Sequence, residues 1–363
     1  MKMKSKRTIF FTILIAALSV FLFAGCNAND AEQPEEMIDY EIAFITDEGL
    51  INDRGTSEAV WNTITEFASS KGLSHKYYKA TQAKENAVRE VLDTAVEKGA
   101  KIVIVDNSAI ADIIFDIQDD YKGVDFITIN AGPYDANNGD ILIRENTTAI
   151  TFATEQAGYM AGYAAVKEGY SDLGTIVQGE DNMMAGFQYG FAKGANRAAR
   201  EEYKTVSVKC ATASGGDTKE TASEKAAKWY KAGTEVIFVC GDKIEGDVIE
   251  EAEVYERKVI GGITDKGEMS DTVLISAVED IDIALTGALQ NYVRGEFTGG
   301  EVSEYDASLD GVYLEYKNSR MEHFEKQEFD ALLDQIKSKK IRINIDGIES
   351  LDDLDLENVD LKY

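Results

Sequence analysis

The fold class is decided by residues 102–117, which read IVIVDNSAIADIIFDI. The first four of them, Ile102–Val105, are all β-branched and form a run that is typical of a buried strand. Isoleucines then recur at the spacing of one helical face, at positions 110, 113, 114 and 117. A strand followed at once by an amphipathic helix is the repeating unit of α/β proteins. This stretch therefore predicts an α/β fold with a mostly parallel sheet.

Similar strand–helix units precede and follow this stretch, and they fall into two sets of similar size. The pattern restarts after Asn146, where apolar runs end at Cys210 and Cys240. Two sets predict two Rossmann-like lobes. We expect a later strand and helix to return to the first lobe and a final strand to join the second. The predicted lobes are residues 38–147 with 276–297, and residues 148–275 with 298–349.

The N-terminus has the features of a lipoprotein signal peptide. Residues 1–25 hold four basic residues and then an apolar run, and small residues precede Cys26, as a lipoprotein signal peptidase requires. We predict that Cys26 is lipidated; a signal anchor of about 20 residues that stays in the membrane is the alternative. Residues 26–37 are polar and acidic and predict a flexible linker. The acidic residues 350–363 predict a loosely held tail.

The charge and the cysteines exclude two classes of function. The formal net charge is −29, whereas nucleic-acid binding needs cations to neutralise phosphates, so we expect no nucleic-acid partner. No CxxC or Cys/His cluster occurs, so no metal site is expected. Cys210 and Cys240 are interpreted as buried free thiols in preference to a disulfide, which an extracellular setting would also permit.

The sequence offers few signs of an enzyme. No GxSxG motif occurs, no GxGxxG motif follows a strand, and a Walker-like stretch at 241–247 ends in Asp where a P-loop has Lys. Carboxylate pairs that could hydrolyse a glycoside are too numerous in so acidic a chain to be informative. We expect a binding protein without a cofactor, and an extracellular hydrolase is the less favoured alternative.

Polar and acidic side chains follow the predicted strands of both lobes. Ligands of open parallel sheets bind outside the carboxyl ends of the strands, so these positions are candidate binding residues. They suit a neutral ligand rich in hydroxyl or N–H groups, although a single Asp more often caps a helix. Phe187 could stack on a flat ring or belong to the core. The candidates are Asp47, Glu48, Asp53, Asn107 and Asp112 in the first lobe, and Phe187, Gly241, Asp242, Asp265 and Lys266 in the second.

Several segments carry a family resemblance. They are residues 44–55 (FITDEGLINDRG), 155–165 (EQAGYMAGYAA), 187–191 (FQYGF), 233–252 and 276–284. In this order they resemble the basic membrane protein (BMP) family, PnrA-like lipoproteins that serve ABC importers as nucleoside-binding subunits. The resemblance covers about residues 40–345. It implies a type I periplasmic-binding-protein fold, in which three crossovers join two α/β lobes.

The resemblance also implies roles for the candidate residues. In the first lobe, Asp47 would hold the ribose or the base, and Glu48 stands where the family often has a polar neighbour. Asp112 would correspond to the family's acid after the third strand. In the second lobe, Phe187 would stack on the base and Asp242 would bind ribose hydroxyls. Asp265 or Lys266 would line the same pocket.

One departure from the family pattern bears on the ligand. The family's S-F-N, whose Phe forms the other side of a base sandwich, is Gly55-Thr56-Ser57 in this chain. Loss of one aromatic stacking partner removes about 0.5–1.5 kcal/mol of binding free energy beyond the contribution of burial. A pyrimidine nucleoside, a sugar or another small polar ligand therefore becomes more plausible than a purine nucleoside.

The resemblance implies partners and a location as well. They are a small-molecule ligand, an ABC permease, and a lipid anchor on the extracytoplasmic face of the cell membrane. We expect a monomer. A sensor that presents its closed state to a membrane receptor would use the same cleft, so the sequence leaves that alternative open.

Overall fold

The computed structural model describes residues 40–46, 54–131, 143–179, 181–213 and 221–363, all within the unit Asp39–Tyr363. The signal peptide 1–25, Cys26 and the linker 26–37 lie outside the described residues. So do the candidates Asp47, Glu48 and Asp53. What the sequence predicts for them stays a prediction.

Strands and helices alternate along the described chain, which confirms the predicted α/β class. The first part contains β1 (Ile42–Thr46), α1 (Thr56–Lys71), β2 (His75–Lys79), α2 (Glu85–Glu97), β3 (Ile102–Val105), α3 (Ser108–Ile117), β4 (Asp125–Ile129) and β5 (Thr147–Phe152). The middle part contains α4 (Thr154–Lys167), β6 (Asp172–Gln178), α5 (Asn182–Glu201), β7 (Val206–Ala213), α6 (Ala222–Lys231), β8 (Val236–Cys240), α7 (Glu245–Val254), β9 (Lys258–Ile263) and β10 (Val273–Glu279). The last part contains α8 (Ile281–Arg294), β11 (Glu301–Tyr305), β12 (Val312–Glu315), α9 (Lys326–Lys337) and β13 (Val359–Lys362).

Two sheets organise these elements, one in each lobe. The first sheet has the strand order β11-β5-β4-β3-β1-β2, and its pairs are parallel. The second has the order β12-β10-β9-β8-β6-β7-β13 and is parallel except for the β10–β12 pair. Every residue of β1, β3 and β8 is buried. Such continuous burial is expected where helices cover both faces of a parallel sheet.

The described chain passes between the lobes three times. It leaves the first sheet after β5, and α4 then packs against β10 and β12 of the second lobe. It leaves the second sheet after β10, and α8 packs against α1 of the first lobe. After β11, which pairs with β5, the chain returns to β12 in the second sheet. Three adjacent connections form the hinge that the predicted architecture requires.

The lobe boundaries differ from the predicted ones. The prediction assigns residues 148–275 and 298–349 to the second lobe, but β5 and β11 both pair in the first sheet. Conversely, residues 276–279 end β10, which lies in the second sheet. β11 reads EVSEY, and its exposed acidic residues are typical of an edge strand, not of a buried apolar run. Apolar content identifies a strand, but it does not say which sheet the strand joins.

The acidic C-terminal segment is packed against the second lobe, so the prediction of a loosely held tail is wrong. β13 pairs with β7 from Val359↔Val206 to Lys362↔Lys209. Leu351, Leu354 and Val359 are buried in the core. These apolar side chains anchor a segment whose aspartates face the solvent.

Candidate functional site

Hydrogen bonds join the two lobes across the cleft at the carboxyl ends of the strands. Arg54 lies in the first lobe just before α1, and Thr56 is the first residue of that helix. The Arg54 carbonyl oxygen accepts hydrogen bonds from Thr264 Oγ1 and Lys266 Nζ of the second lobe, each over 2.7 Å. The Thr56 N–H donates to Asp242 Oδ2 over 3.0 Å. The lobes are therefore in direct contact between the start of α1 and the ends of β8 and β9.

Two further contacts cross the cleft. Asn130, which follows β4, donates from Nδ2 to Glu279 Oε2, at the end of β10, over 2.6 Å. Arg54 Nη1 lies 3.0 Å from Glu268 Oε2, where both side chains are exposed. An exposed ion pair contributes only about 0–1 kcal/mol. The Asn130–Glu279 bond, which is partly buried, is therefore the more informative of the two.

Gly241 and Asp242 follow β8, and the glycine sets the direction of the turn. Gly241 has φ +137°, and a Cβ atom there would lie 2.2 Å from Gln178 Cβ, so only glycine fits. The Gln178 side chain also accepts a hydrogen bond from the Lys243 N–H over 3.0 Å. The turn leaves 31% of the Asp242 side chain exposed. Its carboxylate can accept hydrogen bonds both from the opposite lobe and from a ligand.

Lys266 pairs with Glu245 in the interior of the site. Its Nζ lies 2.6 Å from Glu245 Oε2 and 3.8 Å from Asp242 Oδ1, and the Lys266 and Glu245 side chains are each 2% exposed. Burial raises the pKa of Glu245 to about 7, although the Lys266 ammonium opposes that rise. Because the same ammonium also donates to Arg54, one buried cation ties the acids of the second lobe to the first lobe.

Asp265 supports the loop that carries Lys266. Its Oδ1 accepts hydrogen bonds from the Gly267 N–H over 2.9 Å and from Ser276 Oγ over 3.3 Å. Its Oδ2 accepts one from Asn318 Nδ2 over 2.8 Å. These partners all belong to the second lobe. The structure thus gives Asp265 a positioning role, and direct contact between Asp265 and a ligand stays a prediction.

In the first lobe, Asn107 directly precedes α3 and Asp112 lies within that helix. Asn107 Oδ1 accepts hydrogen bonds from the N–H groups two and three residues further on, so Asn107 caps the helix. Asp112 is exposed. The carboxylate that contacts the start of α1 is instead Asp106, whose Oδ2 accepts a hydrogen bond from Ser57 Oγ over 2.5 Å. The described contacts therefore do not join Asn107 or Asp112 to the Asp242–Lys266 cluster.

Phe187 packs in the core of the second lobe. It is 0% exposed, and its ring meets Phe238 edge-on with the centroids 5.9 Å apart. Phe191 stacks on the same Phe238 ring at 5.2 Å. This packing agrees with the alternative that Phe187 is a core residue, and stacking on a base stays a prediction.

Asn130, Glu245 and Glu279 are absent from the sequence candidates, as are Arg54, Thr56 and Thr264 of the contact between the lobes. Glu279 ends a fully buried strand, VLISAVE, whose other residues are apolar except for Ser276. A buried acid in such a strand needs a polar partner, so an acid at the end of this run was the sequence feature that could have identified Glu279 as a candidate. Glu245 lies in the first turn of α7, where an acid is ordinary. Only the structure shows that it pairs with Lys266.

Three further facts about the described residues bear on their chemistry. None of their His, Cys, Asp and Glu side chains form a group of three or more that could hold a metal ion. Cys210 and Cys240 are buried free thiols, and burial raises the pKa of both. Within the described ranges, no helix has the length and apolar character needed to cross a membrane.

Comparisons with known proteins agree with this architecture. Among curated proteins, the chain is 23% identical over 327 residues to the ABC transporter nucleoside-binding protein BmpA of Lactococcus lactis subsp. cremoris (strain MG1363). The alignment covers 83% of this chain and 89% of that protein. It is 22% identical over 302 residues to the transcriptional activator protein med of Bacillus subtilis (strain 168). That alignment covers 80% of this chain and 86% of the relative.

Among solved structures, an ABC transporter solute-binding protein from Aeropyrum pernix K1 superposes with a TM-score of 0.70. The two are 14% identical, and the match covers 85% of this chain and 94% of that one. At this identity the likeness shows the fold alone, a periplasmic-binding-protein type I fold as predicted. The family model described as ABC transporter substrate-binding protein PnrA-like matches residues 41–348. The chain therefore belongs to the Bmp family of PnrA-like ABC transporter substrate-binding proteins.

Proposed function

We propose that the chain is the substrate-binding subunit of an ABC importer, held outside the cytoplasm by a lipid on Cys26, and that it binds a nucleoside between its lobes. The hydrogen bonds across the cleft carry this proposal. Arg54, Thr56 and Asn130 of the first lobe meet polar groups of the second. A cleft that closes on polar groups can enclose a small polar ligand.

Closure of the lobes would be the working step. The three connections between the sheets lie side by side, so rotation about them opens and shuts the cleft. A ligand that makes hydrogen bonds to both lobes binds the shut form more tightly and shifts the population toward it. The permease would recognise that shut form. No covalent step is required.

The polar groups favour an uncharged ligand with hydroxyl or N–H donors. Asp242 offers carboxylate oxygens, and Asp106 lies at the opposing strand end. Acids in this position repel phosphate groups, which favours nucleosides over nucleotides. The relative from Lactococcus lactis is named as nucleoside-binding, which supports this class. With Gly55-Thr56-Ser57 at the position of the family's stacking Phe, we place pyrimidine nucleosides ahead of purine nucleosides, and sugars are the alternative.

Asp242→Ala should weaken nucleoside binding by about 10- to 100-fold while leaving the fold intact. The substitution removes the acceptor of hydrogen bonds from ligand hydroxyls and from the Thr56 N–H, and bonds to charged groups contribute about 1.5–3 kcal/mol each. Thermal-shift screening against nucleosides, bases and sugars would identify the ligand, since a ligand at 100 times its Kd adds about 2.7 kcal/mol of stability. Isothermal titration calorimetry would then give the affinities.

Asp330→Ala is the matched control for Asp242→Ala. Asp330 is exposed on α9, and its carboxylate lies 2.6 Å from Nζ of Lys326 in the preceding turn. We expect its affinity to equal that of the unmodified protein. Equal affinities for all three proteins would contradict the role of Asp242. If a sugar raised the melting temperature and no nucleoside did, the proposed ligand class would be wrong.

Cys26→Ala should release the protein from the membrane fraction of its host. Several acyl chains on one cysteine bind a bilayer firmly, whereas the variant has none. Fractionation followed by immunoblotting measures the distribution. If the variant stayed in the membrane fraction, residues 1–25 would be an uncleaved signal anchor.

Ligand sensing is the second candidate function, because the relative from Bacillus subtilis is named as a transcriptional activator. A sensor and an importer would use the same cleft. Uptake of the radiolabelled ligand by cells with and without the gene separates them, since loss of uptake requires an importer. Turnover of a nucleoside by the purified protein would instead favour the hydrolase alternative.

A further inference from the structure

Asn130 and Glu279 form a partly buried polar pair between the two lobes. Asn130 follows β4 of the first sheet and Glu279 ends β10 of the second, so their hydrogen bond spans the cleft. Glu279 is 4% exposed. Glu279 Oε1 and Asn130 Oδ1 are also buried, and neither has a hydrogen-bond partner among the described residues. Buried polar atoms in proteins are nearly always paired, so two neighbouring exceptions indicate that a missing group completes them.

The backbone conformation of Asn130 sets the direction of its side chain. Asn130 has φ +57°, a left-handed conformation that asparagine adopts more readily than most residues other than glycine. Here it directs the Asn130 amide from the first lobe to Glu279 of the second.

The protonation state of Glu279 decides what the pair offers. Burial raises the pKa of Glu279 to about 8, although the hydrogen bond from Asn130 opposes the rise, and the charge of Asp242 raises it further. Asp242 and the Cys240 thiol are the titratable groups that act on Glu279 or respond to it among the described residues. The pKa of Cys240 is well above its ordinary value, so the thiol stays neutral. At neutral pH the Glu279 carboxyl is mostly protonated.

A protonated Glu279 next to Asn130 presents one donor and one acceptor. If Asn130 Nδ2 donates to Oε2, the Glu279 hydroxyl is the remaining donor and Asn130 Oδ1 the remaining acceptor. If the amide is turned over, Glu279 donates to the Asn130 oxygen. The amide N–H is then the donor and Glu279 the acceptor. Both arrangements match a partner that carries an acceptor beside a donor.

We propose that Asn130 and Glu279 recognise the cis-amide or amidine edge of a planar heterocycle, such as the Watson–Crick edge of a nucleobase. The inference rests on the proposed nucleoside function and deepens it, because it assigns base recognition to this pair. Uracil, cytosine, adenine and hypoxanthine all carry such an edge, whereas ribose does not. The bond between Asn130 and Glu279 also couples base recognition to closure, since the two residues belong to different lobes.

Methylated nucleosides test the proposal directly. A methyl group on N3 of uridine or on N1 of inosine removes the donor of the edge and leaves the ribose unchanged. Calorimetry at pH 7 should show uridine and inosine binding at least about tenfold more tightly than 3-methyluridine and 1-methylinosine. Ribose serves as the sugar-only probe. Equal binding of methylated and parent nucleosides would overturn the inference while the nucleoside function stands.

Two variants of Glu279 separate recognition from packing. Glu279→Gln keeps a neutral donor and acceptor and should keep the preference for the unmethylated ligand, whereas Glu279→Leu should abolish it. The affinity of the unmodified protein should fall between pH 7 and pH 9, as Glu279 ionises and its donor is lost. The affinity of Glu279→Gln should fall less over the same pH range. An unchanged preference in Glu279→Leu would overturn the inference. If no nucleoside binds the unmodified protein, the proposed ligand class fails and this inference fails with it.

Discussion

Gly194→Ala should lower the free energy of unfolding by about 3 kcal/mol, through a clash between two helices. A Cβ atom on Gly194 of α5 would lie 1.9 Å from the Tyr159 carbonyl oxygen and 2.9 Å from the Tyr163 nitrogen, both in α4. Real Cβ atoms do not approach backbone so closely, so the helices would have to separate. Urea denaturation followed by circular dichroism measures the change.

Gly246→Ala in α7 is the matched control for this clash. Gly246 is also a helical glycine, but a Cβ atom there meets nothing within 4 Å. Alanine favours a helix over glycine by about 0.5–1 kcal/mol, so the control should be unchanged or slightly more stable. If both variants unfolded at the same urea concentration, α4 and α5 would not be in backbone contact at Gly194.

The same contact explains the glycines of the segment 155–165. A Cβ atom on Gly158 would lie 2.2 Å from the Phe187 carbonyl oxygen, and one on Gly162 would lie 2.0 Å from that of Phe191. Glycines on both helices therefore let the two backbones touch. α4 follows the first crossover, so this packing fixes the incoming chain to the second lobe. A rigid second lobe lets the hinge, and not the lobe itself, respond to a ligand.

The fold class could be predicted from the sequence because burial shapes the composition of each strand. The four β-branched residues of β3 and the isoleucines of α3 indicate a strand and a helix without any tertiary information. β11 has no such signal, since its edge position tolerates the acids of EVSEY. The membership of β5 and β10 in their sheets could not be predicted either. It depends on pairing with distant strands and not on local composition.

The site was partly predictable for a similar reason. Asp242 and Lys266 follow strands, and the topology of parallel sheets brings such residues together. Asn130 and Glu279 meet only because the lobes close on each other, which no local pattern encodes. For Phe187, spacing allowed both a core and a ligand role, and its packing against Phe238 agrees with the core alternative.

Lys266→Met should lower the free energy of unfolding at pH 9 by about 3 kcal/mol, because it leaves Glu245 buried without its cation. Both side chains are 2% exposed, and the distance from Lys266 Nζ to Glu245 Oε2 is 2.6 Å. Methionine has a similar length and keeps most of the packing, so the loss reports the charge. The hydrogen bond from Lys266 to the Arg54 carbonyl is lost as well. Urea denaturation at a series of pH values measures the effect.

The pH dependence and a second substitution identify the buried charge as the cause. The pKa of Glu245 is raised from 4.5 to about 7 in the presence of Lys266, and the loss of the cation should raise it further. A carboxyl whose pKa is raised on folding destabilises the protein as pH rises from its unfolded pKa through its folded pKa. Both folded forms keep the Glu245 carboxyl mostly protonated below pH 7, so the loss in Lys266→Met, relative to the unmodified protein, should be small at pH 6 and should grow as the pH rises from 7 to 9. Adding Glu245→Gln removes the charge and should restore most of the loss at pH 9. If the double variant were no more stable than Lys266→Met, lost packing and not an unpaired carboxylate would account for the effect.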